Sequence, residues 1–284
     1  MTARLSSRTL GSIALLCLLT APAAPTSAGP LPDQTDQPIL VIGASYADGR
    51  LPFNGAAAPF GGSSVGFGSF LSVGDALVRV GKFVINEGQA GATTFGRNMC
   101  LPDVCLPVGW QGYDEQLQRA VSRVAIPNPA DPTQIVGYNA QYVYIGMSND
   151  CLHSGSFDVP GQQTSPCSQS EIDAMVDRLI DVGEDAMDLG LVPIYPEYPD
   201  YANIDLSIQA AATGLLWYVD ESQWNQIADT YRERITDELP GAIMVDSWKN
   251  FQSGPDGLHP TPLTSQKAAR RIRKAIEDYE AACE

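Results

Sequence analysis

Five short apolar runs, each followed by a stretch of helical character, leave this chain few folds to choose from. They are residues 38–43 (PILVIG), 83–86 (FVIN), 141–146 (QYVYIG), 191–195 (LVPIY) and 242–246 (AIMVD). None shows the sustained apolar–polar alternation of a half-solvated strand, so they fit strands buried on both faces. Helical patterns lie at 65–80, 113–124, 168–189, 223–239 and 264–282. Ser168 or Ser170 can cap the third of these, Glu171 and Asp173 sit favourably in its first turn, and Gly190 stops it. Strands alternating with helices predict a five-stranded parallel sheet covered on both sides, a three-layer α/β/α sandwich. In such sheets ligands bind beyond the carboxyl ends of the strands, so the residues just past each strand are where chemistry is sought.

Those positions hold unusual residues. Ser45 follows the first strand in Val41-Ile42-Gly43-Ala44-Ser45. Gly91 follows the second, within Asn86-Glu87-Gly88-Gln89-Ala90-Gly91. Asn149 follows the third in Gly146-Met147-Ser148-Asn149-Asp150. Asp256 and His259 lie past the fifth, in Asp256-Gly257-Leu258-His259-Pro260. The chain has only two histidines, and histidine is the usual proton shuttle near neutral pH. A serine hydroxyl is a weak nucleophile until a base takes its proton. His259 is suited to that role, and Asp256, three residues upstream, can fix its tautomer. Attack on an ester carbonyl creates an oxyanion that needs preorganised donors. The backbone N–H groups of Ser45 and Gly91 and the side-chain amide of Asn149 are suitable ones.

On these four segments the sequence resembles the SGNH hydrolases, also called GDSL esterases and lipases. That superfamily carries a serine, a glycine, an asparagine and a histidine in four blocks, matched here in order between residues 38 and 262. The resemblance implies a flavodoxin-like sandwich with strand order 2-1-3-4-5. It implies Ser45 as nucleophile and first oxyanion donor, Gly91 and Asn149 as the other donors, and Asp256 and His259 as the rest of the triad. It implies no cofactor. Two positions depart from the pattern. Ala44 stands where the family usually has aspartate. The third block has Met147 in the glycine slot once Ser148 is counted as the variable residue.

The N-terminus reads as an export signal. Arg4 and Arg8 precede a short apolar core at 10–19, and Thr26-Ser27-Ala28 offers a small-residue cleavage site. Residues 1–28 are then a signal peptide, 29–37 a flexible leader, and 38–284 one hydrolase domain, secreted to the extracellular space or periplasm. Residues 1–28 hold two arginines and no acids, so their removal takes the net charge from −16 to −18. That surface disfavours nucleic acid and anionic membranes, and no further stretch is long and apolar enough for stable membrane insertion. Export places the cysteines in an oxidising compartment. Proximity favours Cys100–Cys105 and Cys151–Cys167, leaving Cys283 outside both bridges. No metal pattern appears: the histidines are distant and Cys100-x4-Cys105 is better explained as a disulfide.

The sequence is therefore expected to encode a secreted serine esterase acting through an acyl-enzyme on small-molecule or polysaccharide esters. Short-chain acyl esters and carbohydrate acetyl groups come first among substrates. The loop at 48–63 with Phe53 and Phe60, the segment from Tyr195 to Tyr201, and Leu215-Leu216-Trp217-Tyr218 are expected pocket walls. His153 follows Asn149 closely but lacks an aspartate pattern and is not expected to be catalytic. Two other classes stay open: an acyltransferase on the same triad, and a catalytically silent glycan-binding module.

Overall fold

The computed structural model describes residues 37–49, 70–101, 104–152, 166–213 and 217–283, with the side chains of 98–101, 104–109 and 212–213 outside that description. The chain runs β1 (Ile39–Ile42), α1 (Ser45–Asp48), α2 (Val73–Arg79), β2 (Val84–Asn86), β3 (Arg97–Leu101), β4 (Val104–Trp110), α3 (Tyr113–Ser122), β5 (Ala125–Asn128), β6 (Asp131–Tyr138), β7 (Tyr142–Ile145), α4 (Gln169–Asp188), β8 (Val192–Pro196), a 3-10 turn (Tyr201–Asn203), α5 (Leu206–Thr213), α6 (Glu221–Glu238), β9 (Ile243–Val245) and α7 (Pro262–Cys283).

The five apolar runs form one sheet in the order β2-β1-β7-β8-β9, parallel at every pairing. Counted alone they give the expected 2-1-3-4-5. Every residue of β1 and β7 is buried, as strands covered on both faces should be. Helix α2 packs on α7, while α3 packs on α4 and α4 on α6, which supplies the two outer layers.

The expected helix at 65–80 is shorter than its periodicity suggested and begins at Val73. Ser72 has an extended backbone and its Oγ accepts the Asp75 N–H at 2.8 Å. That cap satisfies a first-turn donor and fixes the start of the helix. Two antiparallel hairpins, β3–β4 and β5–β6, lie outside the sheet. Their pairing is broken by register shifts, and β6 exposes both Ile135 and Val136, so neither hairpin left a clean periodicity in the sequence.

The sheet and α4 meet closely at Gly183. The Tyr195 hydroxyl, fully buried, donates to Leu179 O at 2.6 Å. A Cβ on Gly183 would stand 2.4 Å from that hydroxyl and 2.7 Å from a Leu239 methyl. Gly183→Ala is therefore expected to destabilise by about 1–3 kcal/mol, as overpacking does. Thermal unfolding checks this, and an unchanged Tm would mean the interior yields more easily than its packing implies. Tyr195 was an expected pocket wall. It instead faces the interior, its ring edge against Tyr231.

Candidate active site

Ser45 opens α1 immediately past β1, where Gly43 has φ +135°. A Cβ on Gly43 would meet Gly146 Cα at 3.0 Å, so these two glycines let the loops after β1 and β7 touch. Ala44, at the N-cap, makes no side-chain cap hydrogen bond. Support for the loop comes instead from Gln116 on α3, completely buried, whose Oε1 accepts the Gly43 N–H at 2.8 Å. Its amide donates in turn to Gln111 O at 3.1 Å.

His259 Nε2 lies 2.9 Å from Ser45 Oγ, and His259 Nδ1 lies 2.5 Å from Asp256 Oδ2. The second carboxylate oxygen of Asp256 accepts the N–H groups of Leu258 at 3.0 Å and His259 at 2.9 Å. Serine, histidine and aspartate are all buried. The Phe70 ring stacks on the imidazole with centroids 4.5 Å apart. Tyr46 donates to Leu258 O at 2.6 Å and packs against Trp248 and Phe251. The residue beside the serine thus holds the loop that carries the histidine.

Burial works to raise the Asp256 pKa. The hydrogen bond from the His259 ring, the charge of that ring and the two backbone donors outweigh it, and the carboxyl sits below the usual aspartate value. A carboxyl with a depressed folded pKa stabilises the fold above its unfolded pKa, and loses that contribution as pH falls through the folded value. The Tm difference between the native chain and Asp256→Asn should hold constant above about pH 5 and shrink below about pH 4. Melting curves across pH 2–8 measure it; a gap that widens in acid would reverse the assigned sign.

Gly91 sits third in a tight turn closed by the Ala92 N–H to Gln89 O at 2.9 Å, with φ +85°. Glycine is favoured there because a type II turn needs positive φ at this place. The neighbouring N–H groups are engaged: Gln89 to Gly43 O at 2.9 Å and Ala90 to an Asp48 carboxylate oxygen at 3.0 Å. Among the described residues, the N–H groups of Gly91 and Ser45 meet no acceptor. Asn149 Nδ2 donates to Ala92 O at 3.1 Å, which ties the third block to the second and leaves one amide proton over. Asp150 strengthens the tie. Its carboxylate accepts from Thr94 N at 2.9 Å, Thr94 Oγ1 at 2.5 Å and Arg178 of α4 at 3.1 Å. Arg97, buried near this carboxylate, has its pKa pushed down to about 10 by burial, opposed by Asp150. It still carries its charge at neutral pH.

The structure therefore joins Ser45, His259 and Asp256 in one hydrogen-bonded relay and links Asn149 to the Gly91 turn. Sequence reasoning missed Gln116, Tyr46, Phe70, Arg97 and the Asp150–Thr94–Arg178 network. Tyr46 alone had a local signal, its place next to Ser45. Cys151–Cys167 forms as expected, with Cα atoms 5.6 Å apart, and anchors the chain two residues beyond Asn149 to the start of α4. Cys100 and Cys105 face each other in the β3–β4 register, but their side chains lie outside the description, and Cys283 is exposed. His153, Phe53, Phe60, Leu215 and Leu216 fall outside the described residues, as do the expected signal at 1–28 and nearly all of the expected leader at 29–37. Trp217 and Tyr218 are half-buried, and the Tyr218 N–H to Leu152 O bond (3.2 Å) lays them beside the Asn149 loop. Among the described residues no helix is long and apolar enough to cross a membrane, and no group of three or more His, Cys, Asp or Glu could hold a metal.

Solved structures share this fold. A protein of Agrobacterium tumefaciens named as a candidate arylesterase is 16% identical, with TM-score 0.52 over 86% of this chain and 99% of its own. A carbohydrate acetylesterase family member from Sinorhizobium meliloti is 15% identical, with TM-score 0.51 over the same shares. A GDSL-like lipase of Bacteroides thetaiotaomicron is 12% identical, with TM-score 0.48 over 89% of this chain and 92% of its own. No family model matches the sequence, and no curated protein matches it. At such identities the likeness of the first two shows the fold alone, a parallel five-stranded sheet flanked by helices.

Proposed function

We propose that this chain, built on the SGNH hydrolase fold, is a serine esterase that cleaves carboxylic esters through an acyl-enzyme. The observation that carries the reading is the unbroken relay from Ser45 Oγ through the His259 ring to Asp256. With Nδ1–H donated to Asp256, Nε2 is the lone-pair nitrogen and faces the hydroxyl. It takes the proton as Oγ bonds to the carbonyl carbon. The oxyanion that forms meets the N–H groups of Ser45 and Gly91 and the amide of Asn149. Collapse breaks the ester C–O bond, and the imidazolium returns its proton to the departing alkoxide. Water then attacks the acyl-serine, losing its proton to Nε2, and the acid leaves as Oγ is reprotonated.

Short-chain acyl esters and acetyl groups on carbohydrate are the proposed substrates, with Phe70 and the Trp217–Tyr218 segment as apolar walls. Residues 1–28 are proposed as an export signal, 29–37 as a leader and 38–284 as the secreted domain, a setting that the Cys151–Cys167 bridge suits. Turnover of a p-nitrophenyl ester series by the native chain tests the reading. Activity falling with acyl length supports it. No hydrolysis at any length, with a glycan still bound, supports the silent binding module.

One prediction isolates a donor. Asn149→Ala should lower kcat by about 10²–10³-fold, or about 3–4 kcal/mol, with the Ser45–His259 pair intact. Steady-state kinetics on p-nitrophenyl acetate measure it, and a kcat within threefold of native would remove Asn149 from the oxyanion site.

A further inference from the structure

The turn that carries Gly91 has an unusual set of partners. Three successive carbonyls, Ala90, Gly91 and Ala92, each accept from a side chain: Trp110 Nε1 at 2.6 Å, an Arg97 Nη and Asn149 Nδ2 at 3.1 Å. Arg97 and Trp110 face each other across the base of the β3–β4 hairpin. The guanidinium lies over the indole, 4.9 Å from its centroid. This hairpin is outside the central sheet, yet its first and last residues both reach back to the same turn.

The chemistry of the contact lies in peptide geometry. Ala90 C=O and Gly91 N–H belong to one peptide unit, which is planar and trans, so the two groups point in opposite directions. It is also the central peptide of the turn. Types I and II differ by a flip of that unit, and the flip reverses where its N–H aims. Glycine, free to take φ of either sign, does not by itself resist the flip. A donor on the carbonyl does. It also polarises the amide, which makes the N–H on the far side a better donor.

We propose that Trp110 is a positioning residue for catalysis: its indole N–H locks the Ala90–Gly91 peptide so that the Gly91 N–H faces the oxyanion, and the β3–β4 hairpin serves as the brace that delivers it. The inference rests on the esterase reading and adds a residue to that same site. Arg97, stacked on the ring and bonded to the next carbonyl, holds the indole and the turn in register.

Trp110→Phe removes the N–H while keeping a ring beneath Arg97. On p-nitrophenyl acetate, kcat should fall by about ten- to a hundredfold, part of what losing a whole oxyanion donor does. KM should stay within about twofold, because the interaction strengthens only in the transition state. A role confined to stability would move Tm and leave kcat of the folded fraction alone. Native-like kcat in a folded Trp110→Phe overturns the proposal and leaves the esterase reading standing. Absence of Ser45-dependent turnover in the native chain overturns both. Should the variant fail to fold, NMR on the native chain decides. Phosphonylation of Ser45 should move the Gly91 amide proton and the Trp110 indole proton downfield together. Both staying in place would overturn the proposal.

Discussion

Ser45→Ala should lower kcat on p-nitrophenyl acetate by about a millionfold, the scale seen when a triad nucleophile is lost. The hydroxyl has one hydrogen-bond partner among the described residues, the His259 ring at 2.9 Å, so its removal leaves the fold in place. Tm should barely move, and far-ultraviolet circular dichroism should match the native chain. A small residual rate should remain, because the N–H donors still stabilise an oxyanion formed by direct attack of water. If the variant keeps more than about one per cent of native kcat, a different nucleophile does the work and the relay is incidental.

Asp256→Asn should come next, with a loss of about ten-thousandfold in kcat. The carboxylate has two tasks in this loop. One oxygen accepts the N–H groups of Leu258 and His259, and the other faces Nδ1. An asparagine can keep only the first task with its oxygen. Its NH2 group then faces Nδ1 and donates, which forces the proton onto Nε2. The nitrogen that must take the Ser45 proton is already occupied. The backbone bonds survive, so the effect falls on tautomer rather than on loop structure. Neutron or NMR assignment of the ring proton would check the cause, and kinetics the size. A kcat within tenfold of native would mean that Asp256 holds the loop and nothing more.

How much of this was legible in the sequence follows from the range of each interaction. Strands β1 and β7 announced themselves because burial on both faces demands unbroken apolar runs. Ser45, Gly91 and Asn149 follow β1, β2 and β7, and Asp256 and His259 come later, between β9 and α7. The rule that ligands gather beyond the strand ends suggested looking there, and the structure brings Ser45, His259 and Asp256 into hydrogen-bond contact and ties Asn149 to the Gly91 turn. The braces were not legible. Gln116 reaches Gly43 across 73 positions and Trp110 reaches Ala90 across 20, and no local pattern marks a glutamine or tryptophan for such a task. Ala44 is instructive here. The sequence shows only that the family's aspartate is missing, whereas the fold shows Gln116 accepting the Gly43 N–H from another helix. The hairpins were hidden for another reason: both carry register shifts, and β6 exposes two adjacent apolar residues, Ile135 and Val136, so no period is left to read.

A crystal structure of the chain after reaction with a small fluorophosphonate tests the central claim most directly. The expected result is phosphorus bonded to Ser45 Oγ, with one of its oxygens within about 2.7–3.1 Å of Ser45 N, Gly91 N and Asn149 Nδ2. Phosphorus on another side chain, or an oxygen turned to solvent away from all three donors, would contradict it.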